Sequence, residues 1–142
     1  MNNILIKNIT IVNKGKSFIS DLLIEDKFIS RIDQSIPKPE GAAEINGTGK
    51  YLIPGIIDDQ VHFREPGLTH KANIASESAA AIAGGVTSFM EMPNTIPPAV
   101  TIDLLEDKYA VAAKTSLANY SFYLGGSNDN VEEVKKVDPK NI

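Results

Sequence analysis

Cysteine is absent from this 142-residue chain, which removes disulfides and thiolate metal sites, so any bound metal would have to be held by His, Asp, Glu or a modified lysine. Histidine is scarce as well, with only His62 and His70 present. No cluster of Lys or Arg makes a basic stripe. The 14 basic residues are outnumbered by 18 acidic ones, for a net charge of -4, which argues against nucleic acid or an anionic membrane surface as a partner. No apolar run approaches the ~20 residues of a membrane span. The start, Met1-Asn2-Asn3-Ile4-Leu5-Ile6-Lys7, lacks the basic region and longer apolar core of a signal peptide, so a cytoplasmic protein is expected. Repeats and low-complexity tracts are missing too. What remains is a chain of 42% hydrophobic content, suited to one ordinary globular domain or to a small domain plus part of a larger one.

The chain changes rhythm at Pro54. Before it, short β runs over residues 4 to 12, 21 to 24, 28 to 32 and 51 to 53 are broken by turn residues. Glu25-Asp26-Lys27 suits a hairpin, Asn46-Gly47 is a turn signal, and Pro37, Pro39 and Gly41 mark a loop. After Pro54, strand and helix alternate, the sign of parallel βα units. Strands are predicted over residues 56 to 63, 86 to 90 and 118 to 124. A first helix is predicted over residues 69 to 83, closed by a left-handed cap at Gly84-Gly85. A second is capped by Thr101, with Ile102, Leu105, Tyr109 and Ala112 on one face. A third begins at Asn130, with Glu133 as a capping-box partner.

The chemistry gathers at the end of the first strand after Pro54, in Asp58-Asp59-Gln60-Val61-His62-Phe63-Arg64-Glu65-Pro66-Gly67. The two-residue spacing of Asp58, Gln60, His62 and Arg64 would point all four to one side of a strand, with Asp59 on the other. Taken alone, such a pattern is as compatible with a polar surface strand as with a site. A second block follows: Gly84-Gly85-Val86-Thr87, then Met92-Pro93-Asn94-Thr95-Ile96-Pro97-Pro98.

Together and in this order, the two blocks resemble dihydroorotase, of the amidohydrolase superfamily. The resemblance implies an α/β fold: a small β-sandwich module over residues 1–53, then over residues 54–142 the first two to three βα units of a (β/α)8 TIM-type barrel. Such a barrel needs roughly 250 residues, so it is incomplete in this chain. The implied activity is the reversible, zinc-dependent cyclisation of N-carbamoyl-L-aspartate to L-dihydroorotate in pyrimidine biosynthesis. By the same resemblance His62 is a zinc ligand and Asp58 orients a ligand by hydrogen bonding. Arg64 and Asn94 grip the substrate carboxylate, for which a guanidinium and an amide NH₂ are suited.

One departure stands inside the motif. Gln60 replaces the first metal-binding histidine of the family, and an amide oxygen is a far poorer zinc ligand than imidazole nitrogen, so one tightly held zinc is expected rather than two. No catalytic group is assigned within these residues; the general base is expected beyond them. Glu65 and Glu91 receive no catalytic role, and a loop-supporting carboxylate accounts for Glu91. His70 reads as a surface residue. A small anionic substrate and a homo-oligomer are expected. Two alternatives stay open: another cyclic amidohydrolase such as allantoinase or dihydropyrimidinase, whose substrates lack the ring carboxylate, and an inactive assembly subunit that has lost metal ligands.

Overall fold

A two-residue loop sets the register of the first sheet. Lys14 (φ 49°) and Gly15 (φ 72°) both lie in the left-handed region, as a tight hairpin turn requires, and join β1 (Ile4–Asn13) to β2 (Lys16–Glu25). These strands belong to a computed structural model that describes residues 3 to 138. β2 therefore starts at Lys16, ahead of the predicted residue 21, because the turn carries pairing into Lys16-Ser17-Phe18-Ile19-Ser20, which have no polar–apolar alternation of their own. β3 (Phe28–Asp33) adds antiparallel to β2. On the other side of β1, β4 (Ala43–Asn46) and β5 (Tyr51–Leu52) both pair parallel with it. β4 was not expected: its four residues carry one β-branched side chain, and its extension comes from the ladder with β1.

A bulge in β1 organises this sheet. Between Ile6 and Ile9 the register slips, and Asn8 takes φ 54°. The extra residue puts Ile6, Ile9 and Ile11 together with Leu22 in one cluster, which strict alternation would have split. Leu5, Leu23 and Ile36 form a second cluster. The buried Asp21 carboxylate holds the distortion in place, accepting the N–H of Asn8 (2.9 Å), the N–H of Ile36 (2.9 Å) and the Lys7 ammonium (2.6 Å).

The chain divides into two compact units, Met1–Pro54 and Gly55–Ile142. In the second, β6 (Ile56–Val61), β7 (Val86–Glu91) and β8 (Asn119–Phe122) form a parallel sheet in that order, with α1 (Ile74–Ala83), α2 (Ile102–Thr115) and the short α3 (Val131–Val134) between and after them. Its core is Phe63, Ile74, Phe89, Leu105, Ala112, Ala118 and Phe122, with the Phe89 ring packed 4.5 Å from Phe63 and 6.3 Å from Phe122.

One helix start and one helix cap differ from the sequence reading. α1 begins at Ile74 rather than residue 69, because Asn73 and Ser76 make a reciprocal capping box there and Glu65 takes the Ile74 N–H at 2.8 Å. Thr101 caps α2 as expected, accepting the Leu104 N–H at 3.3 Å. Asn130 makes no side-chain cap on α3. Its amide bridges the carbonyls of Val100 and Gly125, both at 2.7 Å, while Glu133 accepts the Ile102 N–H at 3.1 Å. Both side chains tie the third βα unit to the second.

Candidate functional site

The first strand of the parallel sheet does not keep its alternation. Asp58 pairs with Phe89 but Val61 pairs with Glu91, so β6 holds one more residue than β7 across that interval. A bulge there undoes the expected common side for Asp58, Gln60, His62 and Arg64. Asp58 turns its Oδ1 to the Gln60 N–H at 3.2 Å. Asp59, expected on the opposite side, joins Gln60 in lining a cavity of about 460 Å³ at the strand ends, with Met92, Pro93, Tyr123, Leu124, Gly125 and Gly126. The Tyr123 hydroxyl donates to the Asp59 carbonyl at 3.0 Å, fixing the bulge against the end of β8.

Past β6 the chain enters a loop that leans on the loop after β7. Ile96 N–H donates to Pro66 O at 3.2 Å. Gly67 (φ 86°) faces the Ile96 carbonyl so closely that a Cβ would collide with it, so this crossing needs glycine on two counts. The contact brings the two sequence blocks together: His62 Nδ1 lies 2.9 Å from Asn94 Oδ1. An amide oxygen only accepts, so Nδ1 carries the hydrogen and Nε2 is left with its lone pair free. That tautomer is the one a metal ligated through Nε2 requires, with Asn94 as the group that orients the ring.

The donor set fits part of a metal centre. His62 offers one imidazole nitrogen and Gln60 an amide oxygen, and among the described residues no three His, Cys, Asp or Glu side chains are grouped to hold a metal ion. A tetrahedral zinc site needs more nitrogen or carboxylate donors than that.

Arg64 sits at φ 72°, a left-handed conformation uncommon for a side chain of its size. Its N–H donates to Glu91 Oε1 at 3.0 Å, and its guanidinium has no ion-pair or hydrogen-bond partner among the described residues. Glu91 ends β7 and is sealed from solvent. Its Oε2 faces the Lys108 ammonium of α2 at 3.1 Å, and Lys108 is equally buried. Burial pushes the Glu91 carboxyl above the usual carboxylate range and the Lys108 ammonium below the usual lysine range, each partly offset by the other's charge. Lys108 escaped the sequence reading, although it falls on the helix stripe with Leu105 and Ala112 where an apolar residue is the default.

The family model for "Dihydro-orotase-like" proteins matches residues 49–136, which takes in both blocks. This chain belongs to the dihydro-orotase-like family. It is 47% identical over 91 residues to a dihydroorotase of Carboxydothermus hydrogenoformans, covering 64% of this chain and 21% of that protein. With a dihydroorotase of Methanosarcina mazei it shares 34% over 137 residues, 96% of this chain and 30% of that one. Among solved structures it is similar to an L-hydantoinase (dihydropyrimidinase) from Arthrobacter aurescens, with a TM-score of 0.84 and 30% identity over 96% of this chain and 30% of the other. The chain thus spans under a third of the length of these relatives, and corresponds to the N-terminal portion of the family. Among the described residues, no helix is long and apolar enough to cross a membrane.

Proposed function

We propose that this chain is the substrate-gripping portion of a dihydroorotase, which interconverts N-carbamoyl-L-aspartate and L-dihydroorotate. The observation that carries the reading is the joining of the two blocks at His62 and Asn94, 2.9 Å apart, with Arg64 two residues on and its guanidinium unpaired. Asn94 spends its oxygen on His62 and keeps its NH₂ for a substrate carboxylate. Arg64 supplies the charge for the same carboxylate in the bidentate geometry that guanidinium favours. The cavity lined by Gln60 and Tyr123 would take the ring. His62 would hold zinc through Nε2, with Gln60 as a weak donor at most and the remaining ligands and the general base contributed by residues beyond these 142. When bound, the zinc polarises the scissile carbonyl and acidifies water. In this reading the five-stranded sheet is one layer of a composite sandwich, and β6, β7 and β8 are the first strands of a (β/α)8 barrel.

A second reading has one observation in its favour: a solved L-hydantoinase shares 30% identity over 96% of this chain, close to the 34% over 96% shared with the Methanosarcina mazei dihydroorotase. On that reading the ring substrate carries no carboxylate, and Arg64 has nothing to grip. Steady-state assays of the intact enzyme separate the two. Hydrolysis of dihydroorotate with allantoin and hydantoin untouched is expected, and Arg64→Ala should weaken transition-state binding of dihydroorotate by roughly 2 to 4 kcal/mol. An Arg64→Ala enzyme with unchanged kcat/KM for dihydroorotate would sink the assignment.

A further inference from the structure

A buried ion pair sits directly behind the two residues of the carboxylate subsite and touches the backbone that leads to each. Glu91 Oε1 accepts the N–H of Arg64, and Lys108 Nζ donates to the carbonyl of Met92 at 3.0 Å, two residues before Asn94. Lys108 also lies 4.9 Å from the centre of the Phe122 ring, against the end of β8. One carboxylate and one ammonium thus connect β7, α2 and β8 to the loop after β6.

Stability alone is a poor account of this pair. Two charges withdrawn from water are repaid only in part by their attraction, and an apolar pair of similar volume commonly folds as well or better. The pair also holds something costly in place. Arg64 at φ 72° is a strained backbone that persists only where its surroundings determine it, and the acceptor its N–H meets is Glu91.

We propose that Glu91 and Lys108 are positioning residues for the carboxylate subsite: together they fix the backbone of Arg64 relative to that of Asn94, and so set discrimination between anionic and uncharged ring amides. Neither touches the substrate; Glu91 acts through Arg64, and Lys108 acts through Glu91 and through the Met92 carbonyl. The inference rests on the dihydroorotase reading for the identity of the anion, but the positioning itself does not.

The test replaces both charges at once in the intact enzyme, as Glu91→Leu with Lys108→Met, so that neither is left buried alone. Thermal unfolding should be as in the parent, while KM for dihydroorotate rises at least ten-fold and kcat stays within about three-fold, so that the preference for dihydroorotate over an uncharged ring such as hydantoin narrows. Added to Arg64→Ala, the double replacement should produce little further rise in KM, because its effect passes largely through Arg64. Glu91→Gln, which retains an acceptor for the Arg64 N–H, should keep KM near the parent value. A folded double variant with unchanged KM, or effects that multiply in full with Arg64→Ala, would overturn the proposal. Amide hydrogen exchange of the parent provides a readout that needs no variant: the Arg64 N–H should be as protected as the core of β7, and rapid exchange there would overturn the positioning whatever the variants do. An enzyme that prefers uncharged rings but protects that amide would end the substrate reading and leave the positioning standing.

Discussion

At position 60 the residue type sets how much of a metal centre the first strand can supply. Imidazole offers a nitrogen lone pair to zinc, whereas the Gln60 amide offers a weaker oxygen, so the intact enzyme is expected to hold one zinc firmly. Metal analysis of the purified, dialysed protein should show stoichiometry rising in Gln60→His and falling in His62→Ala. Two firmly held ions in the parent that survive His62→Ala would contradict this. The identities of His62, Arg64 and Asn94 as residues of interest were legible because each stands in a block whose order and spacing are distinctive. Their geometry was less so. The alternation rule places side chains only while a strand keeps its register, and the bulge after Asp58 brought Asp59 and Gln60 to one cavity. Lys108 was hidden for a different reason: a lysine on a helix stripe is ordinarily a solvated residue whose stem alone packs inward, and only a carboxylate from a distant strand makes its full burial tolerable.

Among the elements, β1, β3 and α2 and the parallel sheet followed from periodicity, and Thr101 announced its helix by type and place. What failed was what depends on partners. β4 is extended because β1 offers it a ladder, and α1 starts late because Asn73 and Glu65 converge on its first turn. The predicted Asn130 cap was outcompeted: its Oδ1 accepts the Ser127 N–H at 2.7 Å while its NH₂ donates to two carbonyls, also at 2.7 Å, so no acceptor is turned to the first turn of α3. The loop after β6 is the element most exposed to a single change. Gly67→Ala combines a left-handed backbone with a collision against the Ile96 carbonyl, so it should cost about 2 kcal/mol or more. It should also part His62 from Asn94. Denaturant unfolding together with KM for dihydroorotate checks this; a variant that matches the parent in both would show that the two loops can separate without consequence.

Over the whole chain, the two units carry buried carboxylates of opposite character. Around Asp21 the cost of burial is outweighed by the Lys7 ammonium and the N–H groups of Asn8 and Ile36, so its pKa is lowered. A lowered value means stability that is present above the unfolded pKa and lost as pH falls through the folded one. For Glu91 burial prevails and the value is raised, so its contribution has the opposite sign: it is present below the unfolded pKa and lost as pH rises through the folded one. Acid should therefore loosen the first sheet through Asp21. Thermal unfolding followed from about pH 5 down to about pH 2 should show a steep loss that Asp21→Asn flattens, at the expense of lower stability near neutrality. Equal acid sensitivity in parent and variant would assign the loss to other groups.

The ties between successive loops also bear on how the chain comes into being. The loop after β6 is closed by Ile96, which belongs to the following unit, and the loop after β7 is closed by Gly125 and Asn130, which belong to the one after that. On a ribosome each loop would emerge unfinished and wait for the next stretch of chain to latch it. On the function proposed above, the grip at Arg64 and Asn94 would then be set one unit behind the growing end.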